Sequence, residues 1–252
     1  MFLFVKKIIS YPFTIIYYAL FGSTLGIFHI LQIITYNFLG YSAHKRTVDL
    51  MNFFLLRCLN FLGIQIRFDR PLNLTTGKSL IIVANHQSTY DIPPIIWYLK
   101  KFHPKFISKK QLGRGIPGVS YNLRNGGSVL IDRSRPKESI GLIKIFAQKL
   151  ERYKWSAVIF PEGTRSQDGK PKKFQKKGLM TLFENMPNAV ILPISINNSW
   201  RLAQYNYFPI PIGIKITFTS HKPIILSDIS IEKALSQVEK VIRDGINFKS
   251  PR

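Results

Sequence analysis

A short apolar run that ends at a histidine limits the possible folds of this chain more than any other feature. Residues 80–84 read Leu-Ile-Ile-Val-Ala, with β-branched side chains and no polar residue. A run of this length and composition predicts a strand that is buried on both faces of a mostly parallel sheet. The sequence therefore favours an α/β fold in which helices flank a central sheet.

His86 follows this strand closely, and Asp91 lies five residues further along the chain. Open α/β sheets bind ligands at the carboxyl ends of their strands, where His86 is expected. Residues 88–91 include N-cap types, and Pro93 and Pro94 fit a first helical turn, whose N–H groups lack intrahelical partners. A helix that begins near Asp91 would let the carboxylate reach the imidazole and orient it as a general base. Alternatively, His86 is a structural turn residue and Asp91 a helix cap.

A second predicted strand, at residues 157–160, ends in the loop Pro161-Glu-Gly-Thr-Arg-Ser166. Gly163 allows the loop backbone to approach a ligand closely, and the Arg165 guanidinium offers a planar fork of donors suited to a phosphate monoester. Glu162 is expected to orient Arg165 or to accept a hydrogen bond from a substrate hydroxyl. Taken alone, the loop is also compatible with a purely structural turn.

A third predicted strand, at residues 127–131, is followed by Asp132 and Arg133. In a parallel sheet this strand would deliver Arg133 to the same edge as His86, where its guanidinium can bind a phosphate with two hydrogen bonds. The alternative is a surface turn formed by Asp132 and Arg133.

These segments together resemble the glycerolipid acyltransferases, in particular the 1-acylglycerol-3-phosphate (lysophosphatidic acid) acyltransferases. The resemblance rests on residues 85–91 and 157–166, with two further blocks, 127–133 and 191–196, in the expected order. It implies a glycerol-3-phosphate acyltransferase-like fold with His86 and Asp91 as the catalytic pair.

The resemblance also implies the substrates and the residues that hold them. The donor would be acyl-CoA or acyl carrier protein, the acceptor lysophosphatidic acid and the product phosphatidic acid, with no cofactor and no metal. Lys109 stands where the family often has basic residues near its substrate, although a solvated basic loop is the alternative. The implied substrate-binding residues are Glu162, Gly163, Thr164, Arg165, Arg133 and Lys109.

The N-terminal part of the chain is unusually apolar, since residues 8–43 contain no Asp, Glu, Lys or Arg. One helix of this length would extend about 54 Å, well beyond the ~30 Å hydrocarbon core of a bilayer. It would either cross the membrane with a tilt or break between Gly22 and Gly26 into two shorter helices. We favour a membrane-embedded hairpin or an interfacial pair. Basic residues on both flanks leave the orientation undetermined.

An amphipathic helix is predicted at residues 48–66, followed by a boundary loop at 71–77. We therefore assign residues 1–70 to a membrane-associated helical segment and residues 71–252 to the acyltransferase α/β domain.

The chain carries 36 Lys and Arg against 13 Asp and Glu, a formal net charge of +23. Such an excess predicts an anionic partner: nucleic acid, an anionic membrane surface or phosphorylated substrates. The apolar segment favours membrane phospholipid, and the sequence has no RNP, zinc-finger or helix-turn-helix signature, so no nucleic-acid partner is expected.

Cys58 is the single cysteine, which excludes an intrachain disulfide and a multi-thiolate metal site. We expect a cell-membrane location with the catalytic domain on the cytoplasmic face.

The favoured function is acyl transfer to the free hydroxyl of lysophosphatidic acid. One alternative is another glycerolipid acyltransferase, which would act on glycerol-3-phosphate or on a different lysophospholipid. The other is a basic membrane-surface protein without catalytic activity. The sequence has no Gly-x-Ser-x-Gly nucleophile elbow, so a covalent acyl-enzyme is not required.

Overall fold

A computed structural model describes residues 2–69, 74 and 77–247, with the backbone alone for the first two of these. The predicted boundary loop at 71–77 lies almost entirely outside the described residues. The described helices are α1 Phe2–Phe38, α2 Gly40–Phe61, α3 Ile92–Tyr98, α4 Val119–Asn125, α5 Pro136–Tyr153, α6 Lys176–Asn185 and α7 Ile231–Asp244. The described strands are β1 Gln65–Asp69, β2 Leu80–Ala84, β3 Pro104–Lys109, β4 Val129–Ile131, β5 Ser156–Ile159, β6 Val190–Asn197, β7 Lys215–Ser220 and β8 Ile224–Ile225.

The strands form one sheet in the order β1-β7-β6-β2-β5-β3-β4, and β8 pairs with β6. The five strands from β6 to β4 in this order run parallel. β7 runs antiparallel to β6, and β1 pairs parallel with β7. The prediction of an α/β fold with a mostly parallel sheet flanked by helices is confirmed.

β2 is buried on both faces, as predicted from its apolar run. Leu80, Ile82 and Ala84 belong to the core that the sheet forms with α1, α2 and α3. Ile81 and Val83 belong to the opposite core, which contains residues of α5, α6 and α7. Because both faces of the sheet are covered at β2, a functional side chain from this strand can reach solvent only at the carboxyl end of the strand.

The predicted break between Gly22 and Gly26 is wrong, because α1 continues through both glycines. A glycine in a helix interior costs only about 1 kcal/mol, and packing of the buried face of α1 outweighs that cost. The chain turns at Gly40, which has φ of +76°, and α2 then packs antiparallel to α1. The ring centroids of Phe28 and Phe54 lie 5.6 Å apart. A helical hairpin therefore exists, with its turn later than predicted.

α2 ends at Phe61, before the predicted end at residue 66. Gly63 has φ of +66°, a conformation that commonly terminates helices. The strand β1 follows it and was not predicted, because only its pairing with β7 stabilises this short half-exposed segment. β1 precedes residue 70, and the division of the chain into two domains there stays a prediction.

Asn85 connects the end of β2 to β6 through its side chain. Its Nδ2 donates to the Ile196 carbonyl at 2.9 Å, and its Oδ1 accepts from the Ile196 N–H at 2.7 Å. The residue is 1% exposed, so these bonds form out of contact with water. The side chain continues the pairing of the two strands by one residue and sets the position from which His86 leaves the sheet.

Candidate active site

His86 and Asp91 are in direct contact. Nδ1 of His86 lies 2.8 Å from Oδ2 of Asp91, which is completely buried. Residues Thr89–Asp91 form a short 3-10 turn before α3, so the chain follows the bent path that the N-cap residues and prolines indicate. Because an ionised carboxylate only accepts hydrogen bonds, Nδ1 carries the proton and Nε2 is left as an acceptor.

The carboxylate of Asp91 has several donors besides the imidazole. Its Oδ2 accepts from the backbone N–H groups of Gln87 and Ser88 at 2.7 Å and 2.9 Å. Its Oδ1 accepts from the hydroxyl of Ser199, which lies in the turn after β6. These bonds offset the cost of burying the charge and fix the carboxylate in one orientation.

Sequence reasoning missed Gln87 and Ser199 as supports of this pair. The Gln87 side-chain oxygen accepts from the Ser199 N–H at 3.0 Å, so the turn after β6 is held beside the turn after β2. Ser199 is 108 residues from Asp91 in sequence. No local pattern marks it, because only the pairing of β2 with β6 brings it there.

The loop after β5 covers one side of His86. The Phe160 ring stacks on the imidazole at a centroid distance of 4.1 Å and an interplanar angle of 15°. The His86 N–H donates to Oε1 of Glu162 at 3.4 Å, and the His86 carbonyl accepts from the Ser166 N–H at 2.7 Å. The His86 side chain stays 17% exposed, and its Nε2 makes no hydrogen bond within the described part of the chain. The imidazole is therefore fixed by contacts at the Phe160 ring and at Nδ1, while Nε2 remains accessible.

Glu162 is a buried acid beside the histidine, only 4% exposed. Its carboxylate bonds to the His86 backbone rather than to Arg165, and Oε2 has no hydrogen-bond partner among the residues described. Burial, with a smaller contribution from the nearby Asp91 charge, raises the pKa of Glu162 to about 7. The residue can therefore hold a proton near neutral pH.

Arg165 is exposed at the outer side of the same loop. Its Nη1 donates to the Tyr207 hydroxyl at 2.7 Å, and the guanidinium carbon lies 6.0 Å from the centre of the Tyr207 ring. The side chain makes no ion pair with an acid in the described ranges. Most N–H donors of the Arg165 guanidinium therefore remain available to an anion. Sequence reasoning did not identify Tyr207 as a residue of this site.

Arg133 and Lys109 lie at the same edge, Arg133 after β4 and Lys109 at the end of the neighbouring β3. A Cβ built on Gly163, which has φ of +71°, would lie 3.9 Å from Nη1 of Arg133. Lys109 is exposed at the end of β3 and pairs with Ile131, two residues before Arg133. Thr164 is also exposed in the loop. His86, the 162–165 loop, Arg133 and Lys109 thus lie together at the carboxyl ends of the parallel strands.

The alternative of a surface turn after β4 holds for Asp132 but not for Arg133. Asp132 Oδ1 accepts from the backbone N–H and the hydroxyl of Ser134 at 3.0 Å and 2.6 Å, which closes a local turn. Arg133 extends away from this turn toward Gly163 and forms no ion pair with any described residue.

No group of three or more His, Cys, Asp or Glu side chains that could hold a metal ion occurs among the residues that the structure describes. The chemistry that this arrangement offers is proton transfer at Nε2 of His86, close to the cationic side chains of Arg165, Arg133 and Lys109. The predicted roles of these residues stay predictions.

Comparison with known proteins identifies related sequences. The model of the family described as Acyltransferase matches residues 65–197. A 1-acyl-sn-glycerol-3-phosphate acyltransferase of Helicobacter pylori is 38% identical over 148 residues, which cover 56% of this chain and 60% of that protein. One of Cocos nucifera is 32% identical over 163 residues, covering 64% of this chain and 51% of that protein. The matched part of the chain thus spans about half to three fifths of the curated relatives.

The fold as a whole also has a solved counterpart. The crystal structure of the 1-acyl-sn-glycerophosphate acyltransferase from Thermotoga maritima superposes with a TM-score of 0.79, covering 98% of this chain and 100% of that one. The two sequences are 23% identical. At this identity the likeness establishes the fold, including the α1–α2 hairpin that precedes the sheet.

The raised pKa of Glu162 predicts a pH-dependent stability that Glu162→Gln should remove. Between the ordinary pKa of about 4.5 and the folded value of about 7, the folded state keeps a proton that the unfolded state has lost. The free energy of unfolding therefore falls as pH rises through this window, on the order of 1–3 kcal/mol in total. Urea unfolding in detergent at pH 5 and pH 8 should show a smaller loss for the variant than for the wild type.

Glu184→Gln is the matched control, because Glu184 is exposed on α6. Its pH dependence should equal that of the wild type. Equal pH dependence of the wild type and Glu162→Gln would mean that Glu162 is ionised in the folded protein throughout this range.

Proposed function

The chain belongs to the acyltransferase family, and on that premise we propose that it is a 1-acyl-sn-glycerol-3-phosphate acyltransferase. It would transfer an acyl chain from a thioester to the free hydroxyl of lysophosphatidic acid and release phosphatidic acid. The observation that carries the proposal is the 2.8 Å contact between His86 Nδ1 and Asp91 Oδ2, at the strand edge that also presents Arg165. The names of the related enzymes support the choice of acceptor.

In the proposed reaction, Nε2 of His86 removes the proton of the acceptor hydroxyl as its oxygen attacks the thioester carbonyl. The carbon–sulfur bond then breaks, and the leaving thiolate takes up the proton from the imidazolium. Asp91 stabilises the imidazolium between these steps, since its carboxylate is already oriented by backbone N–H groups and Ser199. No covalent acyl-enzyme is needed.

The phosphate of the acceptor would lie between Arg165 and Arg133. Both guanidinium groups carry donors without acidic partners in the described residues, and charge-assisted hydrogen bonds to phosphate are among the strongest that side chains make. Gly163 and Thr164 would shape the loop beneath it, Glu162 would hold that loop against His86, and Lys109 would add positive charge. The donor would be acyl-CoA or acyl carrier protein, with no cofactor or metal.

A different acceptor is the nearest alternative, because glycerol-3-phosphate or another lysophospholipid would use the same base and the same arginines. A membrane-surface protein without activity is disfavoured by the His86–Asp91 contact. Pure surface binding needs no histidine whose tautomer is fixed by a buried carboxylate.

We further infer that α1 lies along the membrane surface instead of crossing the bilayer. It is long and apolar enough to cross, with a mean hydropathy of 1.6 over its most apolar window. However, it contacts the α/β domain at two places that lie 23 residues apart along the helix, through Thr14 to the Ile210 N–H and through Asn37 to the Tyr121 hydroxyl. A helix that crossed the ~30 Å hydrocarbon core would separate these contacts.

The face of α1 that points away from the protein supports this placement. Apolar side chains are exposed along its whole length, including Phe4 at 68%, Ile15 at 61% and Ile30 at 60%. Such a face can enter the head-group region and the outer acyl chains of an anionic leaflet. The active site would then meet lysolipid head groups at the cytoplasmic face, where acyl thioesters are available.

The reaction itself is tested by thiol release from acyl-CoA in the presence of a panel of acceptors that differ in head group and in number of acyl chains. Wild-type protein should release thiol with lysophosphatidic acid. His86→Ala and His86→Asn should lose about 10²–10⁴-fold in kcat, because neither retains a base. His103→Asn, at the opposite edge of the sheet, should retain activity. Wild-type turnover in either His86 variant would refute the base, and preference for another acceptor would select the alternative enzyme.

The phosphate site is tested by Arg165→Ala. The variant should raise the KM for lysophosphatidic acid by about 10–100-fold, because it removes charged hydrogen bonds to the phosphate. The KM for the acyl donor should change little. Arg135→Ala, which removes an exposed arginine at the start of α5, serves as the control for net charge. An unchanged acceptor KM in Arg165→Ala would move the phosphate site elsewhere.

The membrane placement is tested by flotation with anionic vesicles. Ile27→Glu combined with Ile30→Glu should reduce binding at least several-fold, because both side chains lie on the exposed apolar face of α1. Ile145→Glu is the control, since Ile145 is 66% exposed on α5, at the other face of the sheet. Equal binding of all three proteins would show that this face of α1 is not the membrane contact.

A further inference from the structure

The segment 205–210 connects α1 to Arg165. It contacts α1 through four residues on one helix face: Lys7, Tyr11, Thr14 and Tyr18. The spacing of these positions, at i, i+4, i+7 and i+11, is that of a single stripe along a helix. The segment therefore lies against α1 over about three turns.

Two of these contacts are hydrogen bonds to the backbone of the segment. The Tyr18 hydroxyl donates to the Tyr207 carbonyl at 2.7 Å, and the Thr14 hydroxyl accepts from the Ile210 N–H at 2.9 Å. The other two involve rings. The Tyr11 and Phe208 rings meet edge to face at 5.4 Å, and Lys7 Nζ lies 4.5 Å from the centre of the Tyr205 ring.

The side chain of Tyr207 extends from this segment into the active site. Its hydroxyl accepts from Arg165 Nη1 at 2.7 Å, and its ring packs edge to face on Tyr90 at 5.9 Å. Tyr90 directly precedes Asp91 in the 3-10 turn that supports His86. Tyr207 is thus the residue at which α1, the catalytic turn and the phosphate-binding loop meet.

The backbone of Tyr207 is unusual as well. Asn206 and Tyr207 have φ of +50° and +67°, in the left-handed region that aromatic residues seldom occupy. Such a conformation persists only where surrounding contacts enforce it, and it occurs preferentially at functional sites. Here the bonds from Tyr18 and Arg165 act on the two ends of the same residue.

We propose that Tyr207 is a positioning residue that ties Arg165 to α1, so that the helix facing the membrane sets the place of the phosphate-binding guanidinium. This rests on the proposed function. Arg165 is exposed, and a free arginine side chain loses rotamer entropy when a ligand orders it. The Tyr207 hydroxyl supplies part of that ordering in advance, while the remaining donors of the guanidinium stay available to the acceptor phosphate.

The kinetic test uses lysophosphatidic acid presented in vesicles. Tyr207→Phe should raise the acceptor KM by about 3- to 30-fold, with kcat at saturating acceptor and donor KM unchanged within about twofold. Tyr18→Phe should raise the acceptor KM by a smaller factor, because it acts on Arg165 through the Tyr207 backbone. Tyr153→Phe, at an exposed tyrosine on α5, should behave as the wild type.

A double-mutant comparison separates positioning from a general loss of structure. In the Arg165→Ala background, Tyr207→Phe should have no further effect on the acceptor KM, because the hydroxyl has no guanidinium to hold. A full additional effect would mean that Tyr207 acts independently of Arg165, which would overturn the proposal. An unchanged acceptor KM in Tyr207→Phe alone would overturn it too, while leaving the proposed function intact.

A measurement without substrate keeps the proposal testable if the wild type transfers no acyl chain. Hydrogen–deuterium exchange in detergent should be faster in Tyr18→Phe than in wild type at residues 205–210. It should also be faster at residues 163–167, whose Ser166 N–H bonds to the His86 carbonyl. Faster exchange confined to 205–210 would show that the segment does not transmit the position of α1 to Arg165.

Discussion

The burial of one carboxylate governs the arrangement of the site at the ends of β2 and β6. Asp91 is removed from water, and a buried charge is tolerated only when hydrogen bonds replace its hydration. The replacement comes from the backbone N–H groups and the Ser88 hydroxyl after β2, from the imidazole of His86 and from the hydroxyl of Ser199 after β6. Because each donor must point at the same two oxygens, the turns after β2 and β6 have little freedom relative to each other. The geometry of the pair that we propose to be catalytic therefore depends on the pairing of β2 with β6.

The loop after β5, residues 160–166, connects His86 to the proposed phosphate site at Arg165. It stacks Phe160 on the imidazole and bonds to the His86 backbone through Glu162 and Ser166. The histidine and the loop that carries Arg165 therefore belong to one network of contacts, although they follow different strands. Tyr207 in turn connects Arg165 to α1, through its hydroxyl and its backbone carbonyl. A continuous series of contacts thus runs from the exposed apolar helix to His86, the general base that we propose.

Much of this was predictable where the determining residues are neighbours in sequence. The apolar run at 80–84 predicted a strand covered on both faces, and the N-cap types with two prolines predicted the turn that brings Asp91 to His86. Errors arose where packing overrode a local signal. Gly22 and Gly26 suggested a break, yet α1 continues because its buried face packs against α2. Gln65–Asp69 gave no strand signal, because its pairing with β7 depends on residues 150 positions away.

By itself, then, the sequence determined the α/β class, the strand that carries His86, the partner of its imidazole and the cationic loop at Arg165. Each of these follows from residues within about ten positions, whose spacing and backbone preferences act before distant contacts form. Only the tertiary structure decided that Ser199 completes the support of Asp91, that Glu162 bonds to His86 and not to Arg165, and that Tyr207 links α1 to the site. These contacts depend on which strands become neighbours, and strand order is set by the summed burial of both cores, which no local pattern encodes.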